Sequence, residues 1–508
     1  MNLYERLRTT ALKRPETTAF VFRDKTMTYG ELLSQIDHCA ANLESLGFGP
    51  GSACGLILRN CPEFVITSFA LFRIGAASVP INYQEKPDRI AAILEDAGAT
   101  GCLTSNEFLS TVLLATKTLP HLVHIYSRDG EPPRGAKAFR HLLAAPTHLP
   151  FRQGQVGPGA IATLLYTSGT TGQPKGVELT HTNFLSNVES CLGAIPLSAK
   201  DVFLCLLPMF HSFAWTTCVL VPLRLGCKIV IIESVQPFEP IIKAIWTHKV
   251  TAFVAVPPIY AALTMRIKGF KALIVRLLNP VKVCISGAAA LPVEVLTAFE
   301  RRFGMPLLEG YGLTEASPVV TLNPFRNRRK PGTVGIPIPH VQVKIVDEEE
   351  KPVPTGEVGE ICVKGPNVMR GYHHKPEETK QSFTRDQWLK TGDMGFLDDK
   401  GYLTIVDRKK DLIIVKGLNV YPQDVENVIL SHPAVAEAAV VGIRDETGDE
   451  IIKAFVILKP GQNVDKFELL RLCRGRLAAY KCPRDLEIRS ELPKNALGKI
   501  LKKELRGR

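Results

Sequence analysis

Short β-branched and apolar runs at residues 161–165, 229–232, 252–256 and 281–285 alternate with longer stretches whose apolar positions recur every three or four residues. Residues 63–74, just before the apolar run 77–81, show the second pattern. Strands that read as continuous apolar runs are buried on both faces, and the periodic stretches between them supply the covering helices. The pattern predicts a large α/β unit of layered sheets and helices. No repeat of solenoid length interrupts it. After about residue 336 the texture changes to short alternating strands, 341–346, 360–363 and 402–406, with Pro354-Thr355-Gly356 and Asp398-Asp399-Lys400-Gly401 as turns between them. A small β-rich subdomain is expected there. The polar cluster Asp407-Arg408-Lys409-Lys410-Asp411 follows, and beyond it a second apolar-periodic region begins. This predicts an N-terminal domain over 1–406, a hinge at 407–410 and a smaller α+β domain over 411–508.

Composition narrows the class. With 508 residues, 45% hydrophobic and 22% charged, the chain can bury an ample core, which excludes disorder and fibre. The first sixteen residues contain Glu5, Arg6, Arg8, Lys13 and Arg14, so no secretion signal is visible. The most apolar stretch, 216–232, is broken by Arg224 and Lys228 and reads as buried core, not as a membrane span. Twelve cysteines show no Cys-x-x-Cys pair and no clustering with histidine, which fits a reducing cytoplasm. The net charge of +12 is spread out, with concentrations only at 326–330 and 494–508, and no nucleic-acid motif accompanies it. A solvated loop and tail account for those charges, while small polyanions such as nucleotides suit part of the excess. A contact between the basic tail and an anionic membrane surface, and a homodimer, are both compatible with this sequence.

The sharpest chemical pattern runs from Tyr166 through Thr167, Ser168, Gly169, Thr170, Thr171, Gly172, Gln173, Pro174 and Lys175 to Gly176. A strand feeding a loop of small hydroxylated residues and glycines exposes N–H groups and hydroxyls, with a lysine beyond, and that suits phosphate oxygens. It is not a Walker A loop, because Pro174 precedes Lys175 and Gly176 follows it. On local composition alone, a solvated turn stays open.

This loop resembles the phosphate-binding motif of the adenylate-forming enzymes, the superfamily of acyl-CoA synthetases, luciferases and peptide-synthetase adenylation domains. Four more segments resemble that family's motifs in the same order: Tyr311-Gly312-Leu313-Thr314-Glu315, Thr391-Gly392-Asp393, Asp407 to Asp411, and Pro493 to Lys499. The resemblance implies activation of a carboxylic acid by ATP and Mg²⁺ to an acyl-AMP, followed by transfer to the thiol of CoA. It implies that Thr314 and Glu315 contact the α-phosphate and metal, Thr170 with Glu315 serving the metal, and that Tyr311, between Gly310 and Gly312, packs on adenine. Gly287, Ala288 and Ala289 match the adenine-side strand end, where close packing of small residues is an equal alternative. Asp393 and Arg408 match the ribose contacts, Lys410 the hinge pivot, and Gly417 the pantetheine channel. Lys499 matches the lysine that a mobile C-terminal domain brings to the reacting carboxylate; Lys502 and Lys503 serve as comparisons in the same basic tail.

The segment Met209-Phe210-His211-Ser212-Phe213-Ala214-Trp215 matches the border of the family's acyl site. It offers no aspartate for an α-ammonium, and the segments around Val256 and Pro318 are uncharged, so amino acids and dicarboxylates are disfavoured. His211 with Trp215 resembles the fatty-acyl-CoA synthetase arrangement, in which the tryptophan gates an acyl tunnel, and Val256 and Gly312 border the same site. The expected enzyme is a medium- or long-chain fatty acid–CoA ligase, with an aryl or cinnamate-type acid as the alternative. The absence of a carrier domain after Arg508 favours free CoA, although a separate carrier protein is compatible with the same sequence. A nucleotide-responsive protein without catalysis is the competing class, and intact Thr314, Glu315, Asp393 and Lys499 speak against it.

Overall fold

A computed structural model describes residues 1–146, 156–168, 174–235, 238–325, 329–415, 418–444, 450–495 and 498–506. Two large sheets carry the N-terminal region. In one, nine strands are ordered Ile336–Pro337, Val319–Leu322, Leu307–Gly312, Val283–Ser286, Ala252–Ala255, Val202–Cys205, Lys228–Ile231, Thr18–Phe22 and Lys25–Thr28. The six strands from Leu307–Gly312 to Thr18–Phe22 are mutually parallel, and antiparallel strands close both edges. The second sheet has eight strands, ordered Gly371–Tyr372, Pro174–Thr180, Ile161–Ser168, Ala77–Pro80, Ala53–Leu56, Ala99–Thr104, His124–Ser127 and Lys137–Ala138.

The expected alternation is present, and its cause is burial. Strand Ala252–Ala255 is buried throughout, and helix Pro62–Ile74 buries Phe64, Phe69 and Phe72. That helix starts with Pro62, whose missing N–H is no loss in a first turn, and stops at Gly75, whose φ of 79° is a left-handed cap. The strand expected over 161–165 extends to Ser168 and forms a hairpin with Pro174–Thr180.

The chain divides into two compact units, one of residues Met1–Gln342 and Val363–Gln387, the other of Val343–Cys362 and Trp388–Arg508. The second unit holds most of a four-stranded sheet, Gln342–Val346, Gly359–Lys364, Leu389–Leu397 and Leu403–Arg408, and a C-terminal α+β module. Sequence texture groups the small sheet with the N-terminal region, whereas contacts group it with the module. Asp407 accepts from the Gln423 N–H at 2.9 Å, and Arg506 reaches Asp411 at 2.7 Å, so polar ties span the cluster 407–411. The module has its own core of Ile413, Val425, Val440, Ala454, Leu469 and Leu486.

All twelve cysteines are free; eleven are buried and Cys482 is half-buried. Among the described residues, no helix is long and apolar enough to cross a membrane.

Candidate active site

Four adjacent parallel strands of the nine-stranded sheet end at segments that the sequence singles out. Val202–Cys205 leads toward His211 and Trp215, Ala252–Ala255 to Val256, Val283–Ser286 to Gly287, Ala288 and Ala289, and Leu307–Gly312 carries Gly310, Tyr311 and Gly312. The carboxyl edge of a parallel sheet is where α/β folds bind ligands, because loops leave the strands there without blocking one another. The topology thus points to this edge as the place for a ligand.

Local geometry sets each segment. Gly312 has no space for a side chain, since a Cβ would lie 2.1 Å from the Pro318 carbonyl oxygen. Gly287 is constrained less severely, its Cβ position being 2.8 Å from the far edge of the Phe213 ring, a side chain and not backbone. Thr314, Glu315 and Ala316 form a single 3₁₀ turn. The hydroxyls of Thr314 and Ser212 are 3.3 Å apart, which joins the His211 segment to the Thr314 turn. His211 caps the short helix Ser212–Ala214 by accepting the Phe213 N–H on Nδ1 at 3.2 Å. A neutral imidazole that accepts on Nδ1 carries its proton on Nε2. Trp215 is buried, with Phe64, Phe69 and Phe72 at 5.6, 6.3 and 6.4 Å between ring centroids. Val256 is buried at the start of helix Pro257–Arg266.

The hairpin of the other sheet meets this edge through residues that sequence reasoning missed. Thr167 pairs with Lys175 across the hairpin. The Lys175 ammonium makes an ion pair with Glu378 and stands 5.3 Å from the centre of the Tyr372 ring. Tyr372 donates its hydroxyl to Glu315 Oε1 at 3.0 Å. Burial, reinforced by the Glu315 charge, holds the Tyr372 hydroxyl well above its ordinary value, so it remains a donor. Lysine, tyrosine and glutamate thus link the two sheets beside the hairpin. Residues Gly169, Thr170, Thr171 and Gly172, the Ser168 side chain, and Gly417 lie outside what the structure describes. Among the described residues no three His, Cys, Asp or Glu side chains cluster as a metal cage. A magnesium ion needs none, since it binds through one or two carboxylates plus substrate phosphate, and the Glu315 carboxylate is a group that could serve one.

In the second unit, Asp393 and Arg408 face each other in register on antiparallel strands, with Arg408 Nε 3.2 Å from Asp393 Oδ1. Gly392, at φ 71°, permits the turn into Asp393, whose N–H donates to the Thr391 hydroxyl at 3.1 Å. Lys499 joins this pair. Its ammonium is pulled down to about 8, first by burial and then by the Arg408 charge, with Asp393 and Asp411 acting the other way. The backbone around Lys499 is fixed by Asn495, which accepts its N–H at 2.9 Å and donates its own N–H to the Lys499 carbonyl at 2.9 Å. Lys410 is also lowered, by burial and by Arg408. Lys502 makes an ion pair with Glu426 at 2.7 Å, so it is engaged elsewhere.

The AMP-binding enzyme family matches residues 7–373, and the AMP-binding enzyme C-terminal domain matches residues 424–499. A long-chain-fatty-acid–CoA ligase of Bacillus subtilis is 37% identical, over 97% of this chain and 92% of its own length. The crystal structure of an anthranilate CoA ligase with anthranoyl-AMP superposes with a TM-score of 0.90 at 30% identity, covering 99% of this chain and 96% of that one. An o-succinylbenzoate coenzyme A synthetase of Bacillus subtilis, in complex with ATP and magnesium ion, gives 0.86 at 30% identity, covering 99% of each chain.

Proposed function

This chain belongs to the AMP-binding, adenylate-forming enzymes, and from that premise we propose that the acid it activates is a medium- or long-chain fatty acid. The reaction is that of an AMP-forming acyl-CoA synthetase: the acid attacks the α-phosphate of ATP, pyrophosphate leaves, and the acyl-AMP then passes its acyl group to CoA. The observation that carries the substrate reading is the wall after strand Val202–Cys205, where Trp215 packs into a phenylalanine cluster and Val256 lies buried nearby in sheet order. A wall without ionised groups favours an acid with a neutral tail, because an unpaired second charge would lose its hydration there. The fatty-acid ligase named above supports the same reading.

The second reading, an aryl acid, is favoured by the likeness to the anthranilate ligase. Both acids share the machinery. In the first unit, Tyr311 and residues 287–289 are the proposed contacts to the base; in the second, Asp393 and Arg408 are the proposed contacts to a ribose. Thr314, Lys175 and the 169–172 loop take the phosphates. Magnesium is the proposed metal, held by Glu315 with Thr170, and when bound it neutralises phosphate charge. Lys499 supplies a cation to the charge that gathers as carboxylate meets α-phosphate, the step at which a fixed charge is worth most. The Nε2–H of His211 serves as a donor toward the acyl site.

A pyrophosphate-exchange screen over acids from acetate to oleate, with benzoate and cinnamate, tests the proposal, and CoA thioester is then assayed on the hits. Highest exchange with a medium or long alkyl acid is the expected result. A best response to benzoate or cinnamate would replace the fatty-acid reading by the aryl one.

A further inference from the structure

Residues 265–282 contain Arg266, Lys268, Lys271, Arg276 and Lys282 and no acidic residue. Within this run, helix Gly269–Leu278 buries Ala272 but leaves Leu273, Ile274, Leu277 and Leu278 exposed by 49, 36, 71 and 68%, and Met265 ahead of it by 68%. Positions 273, 274, 277 and 278 share one helical face. Single exposed leucines are ordinary; a stripe of them is not. Among the described residues, no other ten-residue stretch exposes more than two large apolar side chains.

The charges beside the stripe are unlike those of the C-terminal tail. In the tail, Lys494 pairs with Glu437, Lys502 with Glu426 and Arg506 with Asp411, while Leu505 is buried. Those cations are already neutralised. Around the helix, Arg266 stands over the Phe238 ring at 5.0 Å and Arg276 donates to the Arg301 carbonyl at 3.1 Å; Lys268 is exposed. Only Lys282 has a carboxylate partner among the described residues, Asp201 at 3.1 Å.

We propose that helix Gly269–Leu278, with Met265, is a docking face for the surface of an anionic lipid bilayer. Its apolar stripe enters the headgroup layer, and Arg266, Lys268 and Arg276 meet lipid phosphates. An apolar face bordered by cations is the chemistry of an interfacial helix. The same border argues against a second copy of the chain as occupant, because a two-fold contact would bring like charges together. Docking stands on this surface alone. Its use, collecting a sparingly soluble acid from the bilayer, rests on the fatty-acid reading.

The test is co-sedimentation of the full chain with phosphatidylcholine vesicles, with and without phosphatidylglycerol. Binding is expected to require phosphatidylglycerol and to weaken with salt. The double substitution L277D/L278D should weaken it by about tenfold or more, and K268E by several-fold, at an unchanged thermal midpoint. K503E, in the C-terminal tail away from the apolar stripe, should bind as the parent does. No binding to either vesicle, or undiminished binding by L277D/L278D, would overturn the proposal. So would a concentration-dependent dimer that the same double substitution disperses. Salt-sensitive docking by a chain that activates only aryl acids would support the docking face while removing its substrate role.

Discussion

Lys499 is a lysine whose neighbours make it an unusual acid. With burial and Arg408 lowering its ammonium to about 8, the charge persists at neutral pH but is shed well below an ordinary lysine. If adenylation uses the charged form, kcat/KM for acyl-AMP formation should be level below about pH 7 and fall as pH rises through about 8, because kcat/KM reports the free enzyme. Lys499→Arg, charged throughout this range, should lack the alkaline decline whatever its absolute rate. An identical decline in both proteins would assign it to another group. Lys499→Ala should slow adenylation by about 10² to 10³ and spare thioester formation from preformed acyl-AMP. Equal loss in both half-reactions, measured by supplying the acyl-AMP directly, would contradict the role. Sequence pattern pointed to Lys499 through Gly498 and the motif around it. It named Asp393 and Arg408 as well, but not their direct ion pair, which depends on a cross-strand register that shifts between Met394 and Gly395.

At the scale of elements, the parallel strands were legible because burial on both faces leaves a continuous apolar run. The same rule hides Glu309. It lies in strand Leu307–Gly312, 5% exposed, and accepts the Leu291 N–H at 2.8 Å, just after the segment 287–289. Burial raises its carboxyl from 4.5 to about 7, with the Leu291 bond opposing. The unfolded carboxyl ionises first, so between about 4.5 and 7 the folded state binds more protons and stability falls as pH rises, by roughly 3 kcal/mol at most. Glu309→Gln keeps an acceptor for Leu291 and removes the titration. Its thermal midpoint should decline less than the parent's between pH 5 and pH 8, and parallel declines would refute the assignment. Tyr372 was illegible for a different reason: a two-residue strand, Gly371–Tyr372, carries no periodicity, and its partner Glu315 is distant in sequence.

At the scale of the whole molecule, the sequence places a junction at the polar cluster 407–411, where it interrupts two apolar-periodic regions, whereas the contacts keep that cluster inside the second unit. Lys410 occupies a single 3₁₀ turn, Lys409–Asp411, between the strand ending at Arg408 and the C-terminal module. If the module must turn about this point between half-reactions, fixing its φ should separate them. Lys410→Pro should leave pyrophosphate exchange near the parent rate and slow thioester formation by at least about tenfold. Loss of both together would show a folding defect, and loss of neither would remove the pivot from Lys410. The thiol inventory offers a way to watch such a rotation. Eleven of the twelve sulfhydryls are sealed in the interior, and the remaining one, Cys482, belongs to the C-terminal module. Burial raises its pKa, so mildly alkaline conditions would help a maleimide dye react there. The unaltered polypeptide can therefore be tagged at one defined spot, and its fluorescence followed as nucleotide, acid and CoA are added in turn.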